Sequence, residues 1–139
     1  MSEKRKKNIT PVVFISSTVE DLKPFRTAAR EAATRARFLP EMQEYFVASG
    51  DKPPLDECLA RVSKADVVVV IVAHRYGWVP PNQVSGNCKS ITWLECEEAV
   101  RRRKEILPFI VDKKAEWPMD LREAYRTMAA TEEIGRAHV

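Results

Sequence analysis

The sequence of 139 residues predicts a doubly wound α/β domain on a parallel sheet, and three observations carry that prediction. Short apolar runs alternate with amphipathic stretches in the order strand, helix, repeated four times along the chain. The central run, Val67-Val-Val-Val-Ile-Val-Ala73, is apolar at every position. That is the mark of a strand covered on both faces and not of a half-exposed antiparallel one. The length suits a single domain able to bury roughly two-thirds of its unfolded surface.

Each element has its own signal. Thr10-Pro-Val-Val-Phe-Ile15 reads as a short buried strand, and Ser16-Ser17-Thr18 leads from it into a helix. Leu22, Phe25, Ala29 and Ala32 recur at helical spacing as an apolar stripe, with Lys23, Arg26, Arg30 and Glu31 mostly off it. Ser17 and Glu20 have the spacing of a capping box, which would start this helix. Phe38 to Met42 is a weak strand whose proline suits a sheet edge, followed by a loop over 43–54. Leu55 to Lys64 is a short helix with Leu55, Leu59 and Val62 inward, and Asp66 opens the central strand. A sixteen-residue connection, His74 to Lys89, exceeds an ordinary loop and marks a functional or disordered segment. A helix from Thr92 to Arg103, a buried strand over 106–111 and a helix over 121–130 complete the series. Right-handed crossovers with a central Val67–Ala73 strand give the order 2-1-3-4, a flavodoxin-like arrangement of three layers. Its fifth strand (order 2-1-3-4-5) finds no counterpart in the sequence. The expected organisation is a disordered basic tail at 1–9, one domain at 10–131 and a frayed end at 132–139.

Composition bounds the function. With 45% hydrophobic and 31% charged residues, four glycines and nine prolines, the chain is neither low-complexity nor collagen-like. The longest apolar run has seven residues, too few to cross a membrane, and no charged-then-apolar leader is seen, so a cytoplasmic location is expected. The net charge of +3 resides in the tail, because Lys4, Arg5, Lys6 and Lys7 against Glu3 account for all of it. A neutral body and a basic run at Arg101–Lys104 without interleaved aromatics argue against nucleic acid as the partner. Cys58, Cys88 and Cys96 match no metal spacing, so no metal is expected and free thiols are.

In such folds ligands sit beyond the carboxyl ends of the strands, at the switch in strand order. Three polar clusters converge there: Ser16-Ser17-Thr18, then His74-Arg75-Tyr76-Gly77-Trp78, then Ser90-Ile-Thr92-Trp93-Leu-Glu95. The first leads into a helix N-terminus, which favours phosphate. Arg75 suits phosphate or carboxylate, Tyr76 and Trp78 suit stacking on a planar ring, and Gly77 permits close backbone approach. No G-x-G-x-x-G or Walker lysine is present, so neither a dinucleotide redox fold nor a P-loop ATPase is supported. Glu95 is the candidate catalytic carboxylate: beside Trp93 in a partly apolar pocket it would titrate high and act as acid, base or nucleophile. Thr92-x-x-Glu95 equally fits a capping box, in which Glu95 merely closes the helix start. Glu97-Arg101 and Glu98-Arg102 read as solvated pairs on the helix surface.

Val13-Phe-Ile-Ser-Ser-Thr-Val-Glu-Asp-Leu22 with Arg26, Arg75-Tyr-Gly-Trp78 and Lys89-Ser-Ile-Thr-Trp-Leu-Glu-Cys-Glu-Glu-Ala99 together resemble the DUF4062 family, over about residues 11 to 118. That family is similar to TIR domains and nucleoside 2-deoxyribosyltransferases, and its members often precede NACHT-type signalling modules. The resemblance implies a domain of a larger signalling or antiphage defence protein, cleaving an N-glycosidic bond of NAD or a related nucleotide or nucleoside. NAD would be substrate, and no cofactor is implied. The deoxyribosyltransferase pattern assigns the catalytic role to Glu95, whereas the TIR pattern assigns it to Glu97 with Trp93. Two residues apart on a helix, these carboxylates point about 200° apart, so one pocket takes only one of them. Glu95 follows the threonine signature and lies in the first turn. Ser16, Ser17, Thr18, Arg75, Tyr76, Gly77, Trp78, Ser90, Thr92 and Trp93 are the expected substrate-binding residues. The resemblance also implies two alternatives: a non-catalytic module that self-associates, and a domain that senses nucleotides without turnover.

Overall fold

The structure, a computed structural model, describes residues 9–48, 51–83 and 88–119. Within them a four-stranded, wholly parallel sheet runs in the order β2-β1-β3-β4: β1 is Val12–Ser17, β2 Leu39–Glu41, β3 Val67–Val72 and β4 Glu105–Ile110. Three helices connect them: α1 at Lys23–Arg35, α2 at Leu55–Lys64 and α3 at Ile91–Arg101. The α/β class and the strand order are those the sequence predicts. The expected helix at 121–130 and the two chain ends, 1–8 and 132–139, lie outside the described residues.

Asp66 sets the register of the two central strands. Its Oδ2 accepts from the Val12 N–H at 2.8 Å, and its own N–H donates to the Val12 carbonyl at 2.8 Å. From there Val13 to Ser17 pair with Val67 to Ile71 in step. Alternation along β1 then sends Phe14 and Ser16 to one face and Ile15 and Ser17 to the other. On the first face Phe14, Val68 and Val70 meet Val62 of α2, Ala65 and Ala99 of α3, which form the core cluster. Pro40 stands in β2 at the sheet edge, where a missing N–H costs no ladder bond.

Three expectations are corrected. The capping box of Ser17 and Glu20 does not form: α1 begins at Lys23 behind Leu22 with no side-chain cap, and Ser17 Oγ donates to the Thr18 carbonyl at 2.7 Å. The apolar stripe on α1 is not the buried one, since Phe25 is 48% exposed and Ala32 is exposed, whereas Arg26 is the residue this helix buries. A cation can take that place because its guanidinium is bonded to Ser17 and to the Glu44 carboxylate, as described below. The strand after α3 is not buried either: Leu107 and Ile110 are exposed and Phe109 is 58% exposed. It is the sheet edge, and among the described residues no helix covers its outward face.

Candidate functional site

The site is built from the end of β1. Ser16 faces α3, where its Oγ donates to Glu95 Oε1 at 2.7 Å. Ser17 faces α1, where its Oγ accepts from Arg26 Nη1 at 2.8 Å. The Arg26 guanidinium turns its remaining edge to Glu44, with Nε to Oε2 at 2.8 Å and Nη2 to Oε1 at 2.5 Å. Glu44 lies on a single 3₁₀ turn, Gln43–Tyr45, between β2 and α2. One buried arginine therefore ties a strand end, a helix and a loop together.

Beyond these strand ends opens a cavity of about 450 Å³. Ser17, Thr18, Lys23 and Arg30 line one side, Glu44 and Lys52 another, and Arg75, Gly77, Trp78 and Thr92 close it. The ammonium of Lys52 stands 5.8 Å from the Trp78 ring centroid. Gly77 is what lets the two loops meet: its φ is 98°, and a Cβ there would fall 2.9 Å from Thr18 Cγ2. The long connection is tied to α3 by the Ile91 N–H, which donates to the Trp78 carbonyl at 2.9 Å. Gln83 closes it on itself, donating to the carbonyls of Pro80 and Lys89 at 2.9 and 2.8 Å.

Of the expected binding residues, Ser17, Thr18, Arg75, Gly77, Trp78 and Thr92 line this cavity. Ser16 and Glu95 stand behind its wall, and neither lines it. Ser90 is buried as the N-cap of α3, accepting from the Trp93 N–H at 3.2 Å. Thr92 and Glu95 form no capping box, because Ser90 caps the helix and Glu95 is engaged with Ser16. The Thr92 hydroxyl is buried without a hydrogen-bond partner at the cavity's edge. Tyr76 and Trp93 lie away from the cavity, edge to face at 6.0 Å, with the Tyr76 hydroxyl donating to the Cys88 carbonyl at 2.7 Å. Trp93 borders instead a shallow groove between α2 and α3, together with Leu59, Cys96 and Glu97. The two candidate carboxylates thus differ completely: Glu95 is buried, and Glu97 faces solvent with Lys89 Nζ at 2.9 Å. Of the two expected surface pairs, Glu98–Arg102 forms and Glu97–Arg101 does not. Glu97 pairs with Lys89 and not with Arg101, and Glu98 is buried between Arg101 and Arg102. His74 packs edge-on against Trp117 at 5.5 Å, away from the cavity lining.

Sequence reasoning missed the cavity's second wall. Thr27 and Arg30 of α1, and Gln43, Glu44, Lys52 and Pro53 of the loop, have no motif of their own. Arg26 reads as a residue off the apolar stripe and otherwise enters only through the family resemblance. One signal was available: a cation at i+4 from the buried Leu22, on the inward side of an amphipathic helix, requires an acidic partner from elsewhere in the chain.

The electrostatics separate the two engaged glutamates. Burial pushes Glu95 up from 4.5 to about 7, against the Ser16 hydrogen bond, the charge of Arg26 and a hydrogen bond with Cys58. Cys58 is pushed up to about 12 by burial first and by the Glu95 charge second, so it stays a thiol. Glu44 goes the other way: burial works to raise it, but the Arg26 hydrogen bonds and charge outweigh burial and hold it below its ordinary value. Near neutral pH, Glu95 can therefore give or take a proton, and Glu44 is a fixed anion. Among the described residues no group of three or more His, Cys, Asp or Glu is gathered as a metal site would need, and no helix is long and apolar enough to cross a membrane.

No curated protein matches the chain. A family model does, described as "Domain of unknown function (DUF4062)", over residues 12–137. That span takes in all four strands and the whole cavity wall, and the chain belongs to the DUF4062 family.

Proposed function

We propose that this domain binds a nucleotide, NAD or a relative of it, in the cavity at the carboxyl ends of β1 and β3. The observation that carries the reading is the composition of that wall. Thr18 and the N-terminal turn of α3 offer polar groups, Lys23, Arg30 and Lys52 offer positive charge, and Trp78 offers a ring face. Phosphate, sugar and base each find a matching chemistry within about 450 Å³. The position beyond the strand ends is where parallel α/β sheets bind their ligands.

The second reading is cleavage of the N-glycosidic bond, and Glu95 favours it. A carboxyl group titrating at about 7 suits proton transfer and the stabilisation of an oxocarbenium-like centre. It sits one helical turn from Thr92 and one residue from Ser17 through its bond to Ser16, both of which line the cavity. Turnover would require the Ser16–Glu95 bond to open and the carboxylate to swing through the wall. The present geometry thus supports binding ahead of turnover.

Titration calorimetry of the 139-residue protein with NAD, and separately with 2′-deoxynucleosides, tests both readings when chromatography follows released nicotinamide or base. The binding reading expects NAD to bind and Glu95→Gln to leave its affinity within about twofold, because the side chain lies outside the cavity. Absence of binding at millimolar ligand would sink it. Release of nicotinamide that disappears in Glu95→Gln would establish the second reading. Release lost only in Glu97→Gln would move the chemistry to the groove between α2 and α3.

A further inference from the structure

The geometry points to the Glu44 carboxylate as an internal stand-in for a ligand phosphate: Arg26, with Ser17 beside it and Arg30 one turn along, forms an anion site that the protein keeps filled until an incoming phosphate displaces Glu44. The inference deepens the nucleotide-binding reading by naming the phosphate position and how access to it is controlled.

Three observations converge on it. First, the Arg26 side chain is 2% exposed, one side of it bonded to Ser17, and the Glu44 carboxylate covers its Nε–Nη2 edge. Second, Glu44 is a cavity residue, and its own side chain is 40% exposed; it enters the cation's pocket from the solvent side. Third, the contact is bidentate, with Nε to one oxygen at 2.8 Å and Nη2 to the other at 2.5 Å. Carboxylate and phosphate share that fork, and arginine accepts either. Arg30 lines the same cavity and its charge acts on the same carboxylate. Two arginines four residues apart on one helix therefore focus on one point, inside a space large enough for a nucleotide.

Glu44 is suited to leaving. Its carrier is one 3₁₀ turn in the loop between β2 and α2, and within it Glu44 and Tyr45 are exposed. Met42 and Phe46 anchor the turn on either side, so what has to leave is the Glu44 side chain. A partly exposed side chain swings away at smaller cost than a strand or helix opens. Only the fraction of molecules with the Glu44 carboxylate swung out can take a phosphate, and the apparent affinity is lowered by that fraction. A bound phosphate releases the Glu44 side chain, so occupancy of the cavity is transmitted to the turn at Gln43–Tyr45.

Inorganic pyrophosphate is the probe, titrated calorimetrically into the 139-residue protein at constant ionic strength. Removing the stand-in should raise affinity: Glu44→Gln and Glu44→Ala are each expected to bind pyrophosphate at least about tenfold more tightly than the unmodified chain. Arg26→Lys, which keeps the charge and loses the fork, should reverse the gain in the double variant Arg26→Lys/Glu44→Gln. Should Glu44→Ala be too unstable to titrate, its melting temperature with and without pyrophosphate gives the same comparison, and a larger rise than in the unmodified chain is expected. Equal pyrophosphate affinity in the unmodified and Glu44→Gln proteins, or no binding in either, overturns the inference. NAD binding that is intact but indifferent to Glu44 leaves the nucleotide reading standing and removes this one. Tighter pyrophosphate binding in Glu44→Gln with no binding of NAD does the reverse.

Discussion

Ser16 and Ser17 are neighbours on one strand, yet the glutamates they serve are held in opposite states. Ser16 turns toward α3 and reaches Glu95, which has a hydroxyl and a thiol for partners and is 5% exposed. Ser17 turns toward α1 and shares Arg26 with Glu44, at the rim of the cavity. Burial opposes ionisation at both positions. Only Glu44 has a guanidinium in contact to overcome it, so Glu44 falls below the ordinary carboxylate value and Glu95 rises to about 7. The difference teaches that the alternation of a single strand can set a fixed anion and a titrating acid side by side. Which is which depends on where the buried Arg26 lies.

Removing that cation should have the largest effect. Arg26→Ala leaves Ser17 and Glu44 without their shared donor and is expected to cost about 3 kcal/mol, the low end for a broken buried pair because Glu44 is partly solvated. Urea denaturation measures it, and a loss under about 1 kcal/mol would mean that Arg26 is incidental to the fold.

The next effect separates the two glutamates by pH. Glu95 is raised in the folded state, so the fold holds a proton that the unfolded chain has released once pH passes 4.5. Its contribution is therefore fully present below pH 4.5 and is lost as pH rises through about 7, a fall of roughly 3 kcal/mol. Glu44 is lowered, so its contribution is present above 4.5 and lost as pH falls through its folded value. Stability measured against pH should decline on both sides. Glu95→Gln should flatten the decline on the alkaline side and leave the acid side unchanged. An alkaline decline that persists in Glu95→Gln would mean that another group is responsible.

A smaller effect tests the wall between the two glutamates. Gly77→Ala places a side chain at φ 98°, with its Cβ 2.9 Å from Thr18 Cγ2, and is expected to cost about 2 kcal/mol while separating the loops that close the cavity. Thermal melting checks the stability. Ligand affinity that falls along with it would tie the glycine to the cavity as well as to the turn.

The fold was legible because parallel strands leave local marks: the all-apolar run Val67–Val72 had to be central, and Pro40 had to be at an edge. The three loop clusters converged because strand ends in such a sheet converge. What failed were statements about partners across the chain. Two capping boxes read from spacing alone, Ser17 with Glu20 and Thr92 with Glu95, lost to longer-range bonds from Arg26 and Ser16. Arg26 looked like a surface residue because charge normally means exposure, and the acid that neutralises it lies eighteen residues away in a loop without periodicity. Tyr76 was a natural candidate for stacking on a ring, but it meets Trp93 edge to face, away from the cavity. Leu107 and Phe109 read as core but are exposed, because a strand's sequence does not say which of its faces is covered.

The claim on which the rest depends is that the cavity, and not the groove between α2 and α3, receives the ligand. Backbone amide chemical shifts of isotope-labelled protein, followed through a titration with NAD, test it directly. The account predicts shifts concentrated at Ser17, Thr18, Gly77, Trp78 and Thr92, with Trp93, Cys96 and Glu97 hardly moving. Shifts concentrated at Trp93, Cys96 and Glu97, with the strand-end residues unmoved, would contradict it.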